Sequence, residues 1–170
     1  MPGVRGVAVN LRGVESRLIV YQAEARTDIV DIERKTVLFV CICNGIRSQM
    51  AEALLRHKAP DRFMAYSAGF DPTDIHPMAR QVLEEIGVSM EGQYAKGLDE
   101  APVDMGIHYV VAVSDEAYAE CVSGLLGDAE RLCWPFPDPL AKGGSEEESL
   151  RAFRSVRDAI AGTIDFWLES

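Results

Sequence analysis

The sequence predicts an α/β protein in which a parallel β-sheet is covered by helices. From residue 36 onward, short runs of β-branched and aromatic residues alternate with stretches that have helical apolar periodicity. The length of 170 residues suits one domain with a single principal core. The composition, 48% hydrophobic and 26% charged, is typical of a globular protein that folds in water.

Four segments have the composition of strands. The runs at 36–42 and 108–113 are almost continuously apolar, as in strands buried on both faces of a sheet. A further run at 63–69 ends at a glycine, and a short strand is predicted near 131–134. That strand leads into a loop at 135–139, P-F-P-D-P, whose prolines exclude regular structure and stiffen the backbone.

Helical segments follow the strands. Apolar residues recur on one face of 48–58, and 115–123 also reads as a helix. Pro77 can occupy the first turn of another helix, which Gly87 ends. The last helix is predicted to begin at Ser145, because an acidic residue three positions later gives the spacing of a capping box.

The first 35 residues lack this alternation of strands and helices. Apolar runs on either side of Arg12 and Gly13 predict a two-stranded β-hairpin, and 27–35 is predicted to be a linker or a short helix. We therefore expect an N-terminal extension at 1–35 and a main domain at 36–170. An isolated hairpin is marginally stable, so it should pack on the main domain or mediate a homodimer.

Charge and hydropathy argue against several classes of partner. The net charge of −10 would repel nucleic acid and anionic membranes. No apolar run approaches the roughly 20 residues needed to cross a bilayer. Charged and polar residues interrupt the valines of 1–30, which argues against a secretory signal and predicts a cytoplasmic protein.

The chain has four cysteines: Cys41, Cys43, Cys121 and Cys133. A reducing cytoplasm argues against disulfides. Zinc sites favour paired C-x₂₋₄-C ligands, whereas here one C-x-C accompanies two cysteines twelve residues apart. Thiol chemistry without a metal is the favoured interpretation.

The segment 41–48, C-I-C-N-G-I-R-S, has the arrangement of an anion-binding loop. Cys41 ends a strand, and Arg47 and Ser48 open a helix five residues later. Loop N–H groups and the helix N-terminus stabilise a tetrahedral oxyanion, and the guanidinium adds a bidentate donor. The residues expected to support the anion are Cys43, Asn44, Gly45, Ile46 and Ser48.

The same positive field favours the thiolate of Cys41, which predicts a nucleophile. Ser48 can donate a hydrogen bond to the sulfur, and Asn44 tolerates the left-handed backbone that a tight loop requires. The alternative is a buried strand cysteine without chemistry. Asp138, between two prolines, is the candidate proton donor, with a plain proline turn as its alternative. We assign no role to the three histidines.

Three motifs together resemble the low-molecular-weight protein-tyrosine-phosphatase superfamily over about residues 36–169: C-I-C-N-G-I-R-S-Q-M-A-E-A, Y-S-A-G and W-P-F-P-D-P. Three segments resemble the thioredoxin-type arsenate reductases in particular: R-S-Q-M-A-E in place of the usual R-S-P-M-A-E, the helix H-P-M-A-R-Q-V-L-E-E-I-G, and W-P-F-P-D-P-L-A-K-G-G-S-E-E-E. The resemblance implies a three-layer α/β/α fold with a four-stranded parallel sheet of order 2-1-3-4. It also implies Cys41 as nucleophile, Arg47 and Ser48 around the anion, and Asp138 as general acid.

In those reductases the nucleophile attacks arsenate, a second cysteine releases arsenite by forming a disulfide, and a third passes the disulfide to thioredoxin. The second and third cysteines lie seven residues apart, and here Ser114 and Cys121 occupy the two positions. Serine forms no disulfide, so the usual sequence is broken. Resolution could instead come from Cys121 directly, from Cys43, or from a small thiol or a thioredoxin- or glutaredoxin-type reductant.

Other positions also depart from the family pattern. Cys43 and Ile46 stand where family loops often carry glycine and cysteine. Lys96 falls in the stretch where some arsenate reductases present a carboxylate to a potassium ion. Its ammonium is expected to replace that ion near Glu52 and Ser67.

The resemblance implies three functions in order of preference. The first is an arsenate reductase and the second is a phosphatase acting on phosphotyrosine or a small phosphoester through a phosphocysteine. The third is a non-catalytic protein that senses oxyanions or binds a partner. Phosphate, sulfate or arsenate is expected in the loop, with no tightly bound cofactor.

Overall fold

The described part of the chain contains two separate β-sheets. The structure, a computed structural model, describes residues 6–11, 14–23, 26–31, 33–101, 106–122 and 127–170. Within these ranges one sheet has three strands near the N-terminus and the other has four strands in the main part of the chain.

The N-terminal sheet is an antiparallel meander. Strand β1 (Gly6–Leu11) pairs with β2 (Val14–Ala23), which lie where the hairpin was predicted. The prediction of a linker or short helix over 27–35 is wrong, because β3 (Arg26–Asp31) pairs with β2 along its length. The β-branched residues of R-T-D-I-V-D favour the extended backbone, although its charges are typical of a solvent-exposed linker.

The main sheet has four parallel strands in the spatial order β5-β4-β6-β7. Counted from residue 35 this order is 2-1-3-4, so the predicted topology is confirmed. The strands are β4 (Lys35–Cys41), β5 (Phe63–Gly69), β6 (Tyr109–Ala112) and β7 (Glu130–Cys133). The central strand β4 is buried from its second residue to its last, as its apolar run predicts.

Four α-helices follow the strands at the predicted places: α1 (Arg47–Lys58), α2 (Pro77–Glu84), α3 (Asp115–Val122) and α4 (Glu146–Glu169). The capping box of α4 is confirmed, since Ser145 and Glu148 exchange hydrogen bonds between side chain and backbone. None of the helices in the described ranges is long and apolar enough to cross a membrane.

The core has two parts, one on each face of the main sheet. On one face, Phe39 packs with residues of α1, α2 and α4, among them Leu54 and Phe153. On the other face, Leu38 and Val40 pack against α3. Helices on both faces of one sheet make the predicted three-layer α/β/α arrangement. The carboxyl end of β4 therefore opens between the layers, where ligands bind in open α/β sheets.

Candidate active site

A loop of five residues, 42–46, joins the carboxyl end of β4 to the first residue of α1. Asn44 has φ of 47°, the left-handed conformation that the sequence predicted for it. Ile46 precedes the helix and has no polar side chain with which to cap it. The first N–H groups of α1 therefore stay available for an anion.

Cys41, the last residue of β4, lies directly before this loop and is 3% exposed. The Asn44 backbone N–H donates to Sγ over 3.0 Å, and the Ser48 hydroxyl lies 2.9 Å from the same sulfur. Donors directed at sulfur stabilise a thiolate more than a thiol. The contact between Cys41 and Ser48 was predicted, whereas the hydrogen bond from the Asn44 backbone was not.

A segment after β5, which was not predicted to be part of the site, holds the loop from outside. Three of its backbone N–H groups donate to loop carbonyls: Asp71 to Ile42, Thr73 to Cys43 and His76 to Gly45. These carbonyls are engaged on the outer side. The loop N–H groups can therefore face an anion without competition from them.

Close approach of this segment explains two glycines. A Cβ on Gly45 would lie 2.9 Å from the carbonyl oxygen of Asp74. A Cβ on Gly69, at the end of β5, would lie 2.8 Å from the backbone nitrogen of Asn44. Both distances are shorter than real Cβ contacts allow, so either side chain would displace the loop.

The proline loop 135–139 brings Asp138 to the same cavity as Cys41 and Arg47. Arg47 donates from Nη1 to the carbonyl of Phe136 over 2.9 Å, which ties the guanidinium to this loop. Oδ1 of Asp138 accepts from the backbone N–H of Leu140. The carboxylate therefore both stabilises a turn and borders the cavity. Its position fits both interpretations from the sequence, a proline turn and a candidate proton donor.

The other thiols differ in their relation to Cys41. Cys43 is exposed and lines the cavity that Cys41 lines. Loss of hydration, followed by the nearby charges of Cys41 and Asp71, raises the pKa of Cys43. Cys43 must therefore give up its proton before it can act as a nucleophile.

Cys121 lies in α3 and is 1% exposed in the core on the opposite face of the sheet from that of Cys41. Burial raises the pKa of this thiol as well. Ser114 is also buried, and its hydroxyl accepts from the backbone N–H of Ala117 at the start of α3. The structure thus brings Cys43, but not Cys121, to the nucleophile.

The predicted cluster of Glu52, Ser67 and Lys96 is present behind the loop. The Ser67 hydroxyl donates to Oε2 of Glu52 over 2.5 Å, and Nζ of Lys96 lies 3.9 Å from the same oxygen. Arg56 contacts Oε1 of Glu52 at 2.7 Å. Burial raises the pKa of Glu52 and lowers that of Lys96. The backbone N–H of Lys96 also donates to Oδ1 of Asn44, which joins this cluster to the loop.

Two glutamines contribute to the same region and were not predicted. Gln49, in α1, donates to Oδ1 of Asn44, and Gln93 donates to Gln49. The only sequence signal was the glutamine that follows R-S at the start of α1.

Among the described residues, no group of three or more His, Cys, Asp or Glu side chains is arranged to hold a metal ion.

The fold and this loop define a recognised class of protein. Residues 36–170 match the family model described as low molecular weight phosphotyrosine protein phosphatase. The chain belongs to this family, which confirms the resemblance of its motifs.

Within this family, the chain is similar to an arsenate reductase from Halalkalibacterium halodurans. The two are 31% identical over 139 residues, which cover 82% of this chain and 99% of the relative. A low molecular weight protein tyrosine phosphatase from T. tengcongensis has 25% identity and a TM-score of 0.67, and the match covers 79% of this chain and 98% of that one. A solved arsenate reductase in its phosphate binding state has the same fold, with 24% identity, a TM-score of 0.62, and coverage of 79% and 97%.

Proposed function

We propose that the protein is an arsenate reductase in which the thiolate of Cys41 attacks arsenate held in the loop 41–48. The observation that carries this proposal is a second thiol, Cys43, in the cavity that Cys41 lines. Reduction needs a second thiol to release arsenite, whereas hydrolysis of a phosphoester does not. The similarity to curated arsenate reductases supports the same choice.

The chemistry has two steps. Sγ of Cys41 forms a bond to arsenic while one arsenate oxygen, protonated by Asp138, leaves as water. A second thiolate then attacks Sγ of Cys41, the sulfur–arsenic bond breaks, and its electron pair stays on arsenic as arsenite leaves. Cys43 or a small external thiol supplies the second sulfur. The resulting disulfide is reduced by a small thiol or by a thioredoxin- or glutaredoxin-type protein.

Arsenite production from arsenate tests this proposal, with thioredoxin and with a small thiol as alternative reductants. Cys41→Ser should abolish the product, while Cys133→Ser, a matched loss of a thiol outside the cavity, should not. Cys43→Ser should abolish arsenite production with thioredoxin as the reductant but not with a small thiol. The proposal fails if the wild type makes no arsenite with either reductant.

A phosphatase is the second candidate, favoured by the burial of Ser114 and Cys121. Neither supplies an accessible thiol, and hydrolysis requires only Cys41, Arg47, Ser48 and Asp138. This candidate predicts turnover of para-nitrophenyl phosphate that Cys41→Ser abolishes. Absence of turnover between about pH 5 and pH 8 would eliminate it. Tight arsenate or phosphate binding without turnover of either substrate would instead identify an oxyanion sensor.

We propose that the ammonium of Lys96 takes the place of a bound potassium ion beside Glu52 and Ser67. The contact of 3.9 Å with Glu52 and the burial of all three side chains support this role. Activity should then be the same in sodium and potassium buffers. Stimulation by potassium alone would contradict it.

We further propose that residues 1–35 form an extension to the main domain and that the chain forms a homodimer through it. The three-stranded sheet leaves β1 and β3 as edge strands, which can pair with another chain. Sedimentation of the full chain should give the mass of a dimer, and a monomer at all concentrations would contradict the proposal.

We also propose a cytoplasmic location, which would keep the thiols reduced.

A further inference from the structure

Three buried side-chain amides form a chain of hydrogen bonds that ends at the reactive sulfur. Gln93 lies in the segment after α2, is 7% exposed, and donates from Nε2 to Oε1 of Gln49 over 2.8 Å. Gln49 donates from Nε2 to Oδ1 of Asn44 over 2.8 Å. Asn44 donates from Nδ2 to Oγ of Ser48 over 2.9 Å, and this oxygen lies 2.9 Å from Sγ of Cys41.

Backbone groups fix the direction of every amide in this chain. The backbone N–H of Lys96 can only donate, and it donates to Oδ1 of Asn44, so the Asn44 nitrogen faces the other way. The carbonyl of Tyr94 can only accept, and it accepts from Nε2 of Gln49. The carbonyl of Gln49 accepts from Nε2 of Gln93 over 3.0 Å in the same manner.

The direction of the chain determines what Ser48 does. Its hydroxyl oxygen accepts from Asn44, so its single proton remains for the sulfur of Cys41. With the backbone N–H of Asn44, the sulfur then receives two donors. Two donors favour the thiolate, because a charged sulfur accepts hydrogen bonds much more strongly than the sulfur of a thiol does.

We propose that Gln93 is a positioning residue that, together with the backbone groups of Tyr94 and Lys96, holds the direction of this chain, so that Ser48 donates to Cys41 rather than accepting from it. The inference rests on the nucleophilic role of Cys41 given above. It goes beyond that role because Gln93 contacts neither the sulfur nor the loop 41–48. An acceptor at position 93 would attract Nε2 of Gln49 and turn it away from Asn44. Oε1 of Gln49 would then face Oδ1 of Asn44, with no proton between the two oxygens.

The rate at which iodoacetamide modifies Cys41, measured against pH, tests the proposal without an assay of turnover. Fragment-ion mass spectrometry separates Cys41 from Cys43, which lie on one tryptic peptide. Gln93→Met removes the donor at nearly constant length, and Gln93→Glu replaces it with an acceptor once ionised. We expect the midpoint of the pH profile to rise by about half a pH unit for the first and about one for the second.

Matched controls are Gln81→Met and Gln81→Glu on the exposed face of α2, which should leave the midpoint unchanged. Ser48→Ala should raise the midpoint, and adding Gln93→Met to it should raise it no further, because Gln93 acts through Ser48. If Gln93→Met fails to fold, Gln93→Glu provides the same comparison at nearly unchanged size.

The outcomes separate this inference from the proposed function. Wild-type modification at neutral pH with unchanged midpoints in the folded Gln93 variants would overturn the role of Gln93 alone. Variants that melt at lower temperature with the wild-type midpoint would show a purely structural role and would also overturn it. A wild type that reacts only at the pH of free cysteine would contradict both the role of Gln93 and the thiolate nucleophile.

Discussion

At the scale of single residues, the guanidinium of Arg47 connects the two halves of the site. It lies at the first position of α1 and donates to the carbonyl of Phe136 in the proline loop. The loop that carries Asp138 is therefore held by the side chain expected to bind the anion. In the proposed mechanism, this contact would couple anion binding by Arg47 to protonation by Asp138.

Replacing Arg47 with lysine should weaken oxyanion binding even though the positive charge is retained. The charge remains, but the planar pair of donors is lost together with the geometry that reaches Phe136. We expect the dissociation constant for phosphate to rise about 10- to 100-fold in calorimetry. Arg151→Lys, on the exposed face of α4, is the matched control. Equal affinity in the two variants would contradict the role of Arg47.

Alanine at position 45 should distort the loop, because the added Cβ would lie 2.9 Å from the Asp74 carbonyl. We expect phosphate affinity to fall about tenfold, measured by the same titration. Gly162→Ala, where a Cβ meets nothing within 4 Å in α4, should leave affinity unchanged. It should also stabilise the fold by about 0.5–1 kcal/mol, since glycine is a poor helix former. Wild-type affinity of the Gly45 variant would refute the tight packing of this loop.

At the scale of elements, α2 and α4 are joined by ion pairs at their surface. Glu85, at the end of α2, accepts from Nη2 of Arg154 over 2.6 Å and lies 3.3 Å from Nη1 of Arg157. The hydrogen bonds from Arg154, opposed by a smaller loss of hydration, lower the pKa of Glu85. The two helices cover the face of the sheet that contains Cys41.

The lowered pKa of Glu85 predicts a pH-dependent contribution to stability. A carboxyl group whose pKa is lower in the folded chain stabilises the fold above its unfolded value, and this contribution is lost as pH falls through the folded value. Glu85→Gln should therefore lower the melting temperature at neutral pH by a small amount, and the difference should vanish in acid. Its exposed neighbour gives the control Glu84→Gln. A difference that persists below both pKa values would contradict this cause.

The fold and the reactive loop could be predicted from the sequence because their signals are local. Apolar runs identify buried strands, and the loop 41–48 is one contiguous segment between a strand and a helix. The segment 71–76 and Gln93 could not be predicted, since folding brings the first to the loop and the second to Gln49 from distant positions. Strand β3 was missed because its pairing with β2 outweighs a composition typical of linkers.

At the scale of the whole molecule, the protein carries a net charge of −10, whereas the candidate site is built to bind an anion. Long-range repulsion opposes an approaching oxyanion. Binding therefore depends on donors concentrated within a few residues: the loop N–H groups, the N-terminus of α1 and Arg47. These donors belong to the loop and the helix that directly follow Cys41, so the proposed chemistry depends on Cys41 more than on any other residue.

Parallel assays of arsenate and para-nitrophenyl phosphate with the wild type and Cys41→Ser test this claim most directly. A nucleophilic Cys41 predicts arsenite from the wild type in the presence of a thiol reductant. It predicts no product from either substrate with Cys41→Ser, although that variant should melt close to the wild-type temperature. A folded Cys41→Ser variant as active as the wild type, or a wild type inactive on both substrates, would contradict Cys41 as the nucleophile.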